Sequence, residues 1–597
     1  MNKWYNIKFA LLLFTTALIS SCSEDITQTD SPKKNVRSGV VKVWDLNEPR
    51  GLNPYNNSDI TGFNIKQYIF QRLLDFHPET LELVPVLAIS RPSIEMDQDS
   101  LVTLTFEIRP EAKWDNGQPI TAKDIEFSFK VAAAPGVDDE QLKPYLDFIS
   151  DFIFYPDNPR KFTVVTNKIY MRAETTVGYE IMIIPSHIYD PNNLLSEYSY
   201  HQIKSDSSLA HNQQVMDFAS EFNSPKYSRD VGTVAGSGPY ILEEWVTDQR
   251  VVLKRKDNWW GDEVEIENNP YFEAHPDRIV HEVINDQTGA ITALKGEKID
   301  VMRGIKASEF HQDLSQNQDF LKRFNISTPP QFGYSFLGIN TKNPKLRDIQ
   351  TRQALAHLVN YERMLKDILF GYGERIVGPV HPAQKKFYNA NLALYDYNVD
   401  KAKQLLKEGG WEDKNNNGIV DKMINGKLTD LKIDLIYNAG NKDREKVALI
   451  LQEDAKKAGV AVNLQMLEWG VMQEKLESHN FDMFYNAWLG EPAPEDYSQL
   501  WHTSSAINGS NWVGFGNAET DALINKINTT LDDDKRAGLV KQFQAVLYEQ
   551  VPYIFLWSPQ NRIAVNKKFD NTFVSAYRPG YYVPAFTLVA SDTTATK

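Results

Sequence analysis

Cysteine is almost missing from this sequence: Cys22 is the only one in 597 residues. That excludes an intramolecular disulfide and any cysteine-based zinc cluster. Positive charge is also in deficit, with a formal net charge of -15. Such a balance opposes neutralisation of a phosphate backbone, so nucleic acid is not an expected partner. The eleven histidines form no HExxH motif and no GxSxG elbow occurs, so neither zinc-dependent nor serine-elbow hydrolysis is signalled. A hydrolase built on some other pair of acids stays open. Beyond the first two dozen residues no apolar run approaches membrane-spanning length.

What is present begins with the position of Cys22. Lys3 and Lys8 precede the apolar run Phe9 to Ile19, about the length of a secretion-signal core and too short to span a bilayer. Ile19, Ser20, Ser21 and Cys22 resemble a bacterial lipobox, which implies cleavage before Cys22 and acylation of its sulfur and new amino terminus. Several acyl chains anchor firmly where one is marginal. Residues 1–21 are therefore expected to be a signal peptide, and residues 22–39, almost free of apolar side chains, a flexible tether. Ser23 after the cysteine points to the outer membrane, and Glu24 and Asp25 to surface export. The expected location is the cell envelope, lipid-anchored at the periplasmic face or the cell surface.

Removing the signal leaves about 575 residues, more than one core supports, so two or more domains are expected. Apolar residues at 42% and aromatics at 12% are enough to fill those cores. Val102 to Ile108 alternates apolar and polar, the period of a half-buried strand. Asn116-Gly117 then suits a turn, and Thr121 suits the cap of a helix through Phe127. The glycines of "GSGPYILEEW" do not make a dinucleotide loop, because Pro239 and a strand-like run follow where a helix would have to open. Lys432 to Tyr437 reads as a strand, Arg444 to Ala458 as an amphipathic helix ended by Gly459, and the run from Val460 as a second strand. This strand–helix–strand unit predicts a parallel pair. A further helix from about Val471 and a strand ending at Trp488 follow. Ligands in open sheets of this kind bind beyond the carboxyl ends of strands, which are "YNAGN" and "WLGEPAPED" here.

Five stretches, in order, resemble the extracellular solute-binding proteins of peptide transporters: "LNPYN"; "LTFEIRPEAKWDNGQPITAKDIEFSF"; "GSGPYILEEW" with "KDNWWG"; "FLGINTKNPKLRDIQTRQALAHLVNYERML"; and "YNVDKAKQLLKEGGW". The resemblance implies an α/β bilobal periplasmic-binding-protein fold (class II) with two hinged lobes and an inserted third subdomain. Residues 40–75, 226–331 and 553–592 would form lobe I, 76–225 the insert, 332–552 lobe II and 593–597 a tail. The chain would cross between lobes near Gln331 and Pro552. It further implies a monomeric, non-enzymatic receptor without cofactor or metal, which captures peptides and delivers them to the permease of an ABC importer. The rivals are the same scaffold holding an oligosaccharide or a metal chelate, a surface hydrolase, and a structural lipoprotein.

Trp469 and Trp488 fall where the family carries pocket-lining aromatics. Glu491 stands where an aspartate often meets a peptide's ammonium, with Asp496 and Glu495 as substitutes or else a ligand without an amine. Asn57, Ser58 and Asp59 match a segment that touches ligand from lobe I. Tyr437 and Asn438, with Lys442 and Arg444 nearby, are candidates to receive a carboxylate. Asp413 to Asp421 imitates the start of a calcium loop, but Ile424 occupies the place of its bidentate glutamate, so a plain turn is expected.

Overall fold

The computed structural model describes residue 37 and residues 39–56, 59–96, 101–139, 142–266, 268–507 and 509–589. Two mixed sheets organise them into a bilobal α/β molecule. The first sheet has seven strands in the order Phe324–Ser327, Ile563–Asn566, Val301–Met302, Val40–Asp45, Arg278–Val283, Arg250–Arg255 and Tyr240–Val246. Val40–Asp45 runs parallel to Arg278–Val283, with Val43 opposite His281, whereas Ile563–Asn566 is antiparallel to both of its neighbours. Segments from both ends of the described chain and from its middle thus share one set of ladder hydrogen bonds.

The second sheet has six strands in the order Gly373–Arg375, Tyr553–Pro559, Gly333–Ile339, Met483–Leu489, Lys432–Asn438 and Ala461–Leu467. The expected parallel pair is present, Lys432 opposite Ala461 through Asn438 opposite Leu467. Its connecting helix, Lys442–Lys456, is capped by Asn441, whose side chain accepts from the amides of Asp443 and Arg444 at 3.1 Å. Apolar cores cover both faces: Leu337, Leu435 and Tyr485 join one, and Phe336, Ile436 and Phe484 the other. Burial on two faces is why these strands read as nearly unbroken apolar runs.

Between residues 93 and 166 a four-stranded antiparallel sheet stands apart, in the order Ser93–Met96, Val102–Glu107, Asn158–Thr166, Ile149–Tyr155. Val102–Glu107 alternates buried and half-buried positions as its sequence alternates. Its core is continuous with that of the seven-stranded sheet, so insert and first lobe are one packed body. The junction is tight: a Cβ on Gly238 would lie 2.6 Å from the Tyr68 carbonyl oxygen, so only glycine lets that segment approach. The strand Tyr240–Val246 follows directly, as the rejection of a dinucleotide loop requires.

One boundary needs correction. The expected domain limits make Tyr553–Pro559 the opening of the returning part of lobe I, but it pairs with Gly333–Ile339 inside the six-stranded sheet, Leu337 opposite Ile554. The return crossing therefore lies at Gln560, not near Pro552. There it runs beside the outgoing crossing: Pro330 bridges Gln560, Gln331 N–H donates to the Pro559 carbonyl at 3.0 Å, and Asn561 N–H to the Pro329 carbonyl at 2.8 Å. Two adjacent extended segments of a few residues make the joint between lobes.

Candidate functional site

The parallel strands Lys432–Asn438, Ala461–Leu467 and Met483–Leu489 point their carboxyl ends the same way, the third running on past the other two, and this edge is where an open α/β sheet presents a ligand crevice. Met466, Trp469 and Leu489 are exposed large apolar side chains at that edge. Trp469 is the first residue of the helix Trp469–Glu477, set in place by Glu468, whose carboxylate caps the amides of Gly470 and Val471.

The loop following Leu489 spans the gap to the first lobe. Glu491 accepts a hydrogen bond from the Arg578 guanidinium at 3.1 Å, and both side chains are about three-quarters buried. Ala493 is buried in a seat formed by Phe76, Tyr179 and Tyr577 of the first lobe and insert. Asp496 accepts from the Tyr170 hydroxyl of the insert at 3.1 Å, and from Asn528 Nδ2 and Ser498 N–H at 2.8 Å each. Met171 N–H adds a main-chain bond to the Asn528 carbonyl, also at 2.8 Å. The two halves are closed on each other through this loop. Pro492 and Pro494 flank Ala493 and restrict the backbone that carries it.

Charge around the seat is arranged in pairs. Arg72 meets Asp75 at 3.0 Å and Arg172 meets Glu180 at 2.7 Å. Burial, then the neighbouring Glu491 carboxylate, pushes the Glu180 carboxyl above its ordinary range, while Arg172 opposes the rise. Burial likewise pushes Glu495 up to about 7, with Arg172 pulling it back and Asp496 adding to the rise. The Nε atoms of Arg72 and Arg172 are buried with no hydrogen-bond partner among the described residues. They are donors available within the seam.

The residues expected to line a site have mixed positions. Trp469 is about half exposed at the start of its helix. Trp488 is part of an aromatic stack, its ring 5.3 Å from Trp512 and 6.4 Å from Phe336, so most of it serves the core. Glu491 and Asp496 reach the seam, but each already has partners from the protein. Asp59 caps the helix Ile60–Ile69, accepting from Gly62 N–H and Arg50 N–H at 2.9 Å each, which is a structural role. Tyr437 is packed into the core, because strand alternation points it with Leu435 inwards. Asn438 is taken by Arg444, whose guanidinium donates to its Oδ1 at 2.5 Å. Cys22, Asn57 and Ser58 lie outside the described residues. Both oxygens of Asp413 accept from the amides of Asn417 and Gly418, and Asp421 Oδ2 accepts from those of Lys414 and Asn415, which makes their loop a self-bonded turn.

Tyr170, Ala493 and Arg578 join the site without having been expected from the sequence. For Ala493 the Pro-Ala-Pro pattern is a visible sign of a rigid loop. Arg578 carries no local sign, since its partner lies 87 residues away.

Among the described residues no helix is long and apolar enough to cross a membrane. The family model of the bacterial extracellular solute-binding proteins, family 5, middle part, matches residues 82–510. The oligopeptide-binding protein AppA of Bacillus subtilis is 25% identical over 569 residues, covering 94% of each chain. Heme-binding protein A of Haemophilus influenzae is 24% identical over 553 residues, covering 90% of this chain and 89% of its own. The structure of Bacillus subtilis AppA in complex with a nonapeptide superposes with a TM-score of 0.68 at 24% identity, over 93% of this chain and all of that one.

Proposed function

The chain belongs to the bacterial extracellular solute-binding proteins of family 5, and from that premise we propose that it captures peptides between its two lobes and hands them to the permease of an ABC importer. The observation that carries this reading is the seam that bridges both lobes, Arg578 to Glu491 and Tyr170 to Asp496, beyond the carboxyl ends of parallel strands near which Met466, Trp469 and Leu489 are each exposed. A peptide laid along such an edge bonds through its main chain, while apolar walls accept varied side chains. Micromolar affinity requires only about 8 kcal/mol net, within reach of a few main-chain bonds and buried side chains. Binding favours closure to the degree that the ligand touches both lobes, and the closed form is what a permease would recognise. The protein acts by capture without catalysis, anchored through acylated Cys22 on the envelope.

The test is mass spectrometry of small molecules released when the purified protein is denatured. A family of short peptides is the expected result. A single non-peptide solute, such as a porphyrin, would transfer the same scaffold to another cargo, and recovery of cleaved products after incubation with peptide would contradict a purely binding role.

A further inference from the structure

The joint between the lobes carries a contact on its far side. In the six-stranded sheet the two crossing strands, Tyr553–Pro559 and Gly333–Ile339, are neighbours. Met483–Leu489 and the other strands of the crevice edge lie on one side of them, and Gly373–Arg375 lies on the other. Tyr372 precedes Gly373, and its carbonyl accepts from Gln560 N–H, at the return crossing, at 3.2 Å. From there its ring reaches out of the second lobe and meets Phe310 of the first, edge to face, with centroids 5.3 Å apart and planes at 90°. Tyr372 thereby packs against the small lobe I core that holds Trp44, Phe310, Phe320 and Phe324.

Neither partner is free to give way. Phe310 is buried in that core, and packed interiors yield little to compression. Tyr372 ends a turn in which Phe370 and Gly371 both hold left-handed backbone, with φ of 50° and 83°. The turn is tied by Gly371 N–H to the Leu365 carbonyl at 3.0 Å and by Tyr372 N–H to the Leu369 carbonyl at 2.8 Å. A phenylalanine keeps such a conformation only where its surroundings fix it, and here its ring lies 5.3 Å from that of His311, the neighbour of Phe310.

The seam lies across the lobe I sheet from this contact. Alternation along Ile563–Asn566 sends Ile563 and Val565 into the core shared with the insert, and Ala564 into the small core with Phe310. Tyr581 and Tyr582, which follow Tyr577 and Arg578 of the seam, belong to the first of these cores. A rotation about the joint that parts Glu491 from Arg578 therefore drives Tyr372 towards Phe310, which it already meets. We propose that Tyr372 is a stop behind the joint, which limits how far the lobes open and keeps the ligand-free protein near its closed form. This rests on the reading above of capture between two lobes. Tyr372 touches no ligand and acts through the joint, so it scales the affinity for every ligand by the fraction of molecules ready to close.

The experiment compares wild type with Tyr372→Ala, which removes the ring, and Tyr372→Phe, which keeps it. Small-angle scattering of the ligand-free mature protein is expected to give a larger radius of gyration for Tyr372→Ala than for the other two, and equal values for all three overturn the proposal. Should Tyr372→Ala fail to fold, Tyr372→Leu takes its place, since it shortens the stop and keeps apolar cover over Phe310. The second readout is calorimetric titration with several pentapeptides that wild type retains from a randomised library. Each is expected to bind the truncated variant more weakly by one common factor of about two- to tenfold, the range of an aromatic edge contact, and Tyr372→Phe is expected to restore wild-type affinity. A gain in affinity, or factors that differ from peptide to peptide, overturns the proposal. If wild type retains no peptide, the peptide reading falls by itself, and the scattering comparison still decides whether Tyr372 is a stop.

Discussion

The Tyr170 hydroxyl, carried by the insert, donates to Asp496 Oδ2 of the second lobe at 3.1 Å. Among the described residues this is one of a small set of polar bonds that exist only while the halves are together, so its removal separates closure from folding. Asp496 keeps Asn528 and the Ser498 amide as donors when Tyr170 is changed, which spares it an unpaired buried charge. Tyr170→Phe is expected to disfavour the closed form by about 1–2 kcal/mol, a five- to thirtyfold change in the closed-to-open ratio. Small-angle scattering of the unliganded protein should report a larger radius of gyration, with the unfolding midpoint nearly unchanged.

Ala493 supplies the apolar half of the same contact. Its side chain enters the Phe76, Tyr179 and Tyr577 seat only from the second lobe, so an acidic replacement meets aromatic walls in the closed form and water in the open one. Ala493→Asp is therefore expected to keep each lobe folded and to block closure, lowering peptide affinity at least tenfold. Scattering curves with and without saturating peptide should then coincide. A large fall in thermal stability without ligand would instead mean that the seat is permanently filled.

The features legible in the amino-acid sequence are those with short-range causes. Strand alternation at Val102–Glu107 and the strand–helix–strand run from Lys432 to Leu467 depend on neighbours a few residues apart, and both are present with nearly the expected limits. The cap at Asp59 also has a local cause, since an aspartate before a helical run commonly serves that purpose, although the family resemblance assigns the position to ligand contact. Tyr437 sits at a strand end, where a rim residue is expected, yet the parity of the strand turns it inward with Leu435. The pairing of Glu491 with Arg578 and the stacking of Trp488 on Trp512 have no local cause: each depends on the tertiary meeting of separate segments. The same holds for Tyr553–Pro559, whose pattern suits a buried strand in either sheet and whose membership is decided by pairing with Gly333–Ile339.

Glu495 gives the protein a pH signature. Its folded-state carboxyl is raised from 4.5 to about 7 by burial, so the folded form holds its proton over a range in which the unfolded chain has lost it. The native state is therefore relatively favoured below about pH 4.5 and loses that advantage as pH rises towards 7. Glu495→Gln mimics the protonated form at every pH. Urea unfolding of variant and wild type should give equal stabilities near pH 4.5, with the variant more stable by up to about 3 kcal/mol above pH 7. A difference that shrank with rising pH would contradict the buried-carboxyl account.

The two tryptophans assigned to the pocket should separate cleanly. Trp469 is about half exposed at the head of its helix, so truncating it removes little packing from the free protein, whereas Trp488 is stacked on Trp512 and Phe336 and its loss opens a hole against that core. Trp469→Ala is expected to leave the urea midpoint within experimental error and to weaken peptide binding about tenfold or more, the range for an aromatic anchor that becomes buried on binding. Trp488→Ala is expected to cost about 3 kcal/mol or more of stability, as large-to-small core changes do, with any loss of affinity following from the damaged fold. Chemical denaturation and calorimetric titration on the same preparations distinguish the two effects. If Trp469→Ala destabilised the free protein while binding peptide normally, the exposed edge at Met466, Trp469 and Leu489 would lose its claim to be the ligand surface, because its exposure would no longer reflect a partner that arrives only on binding.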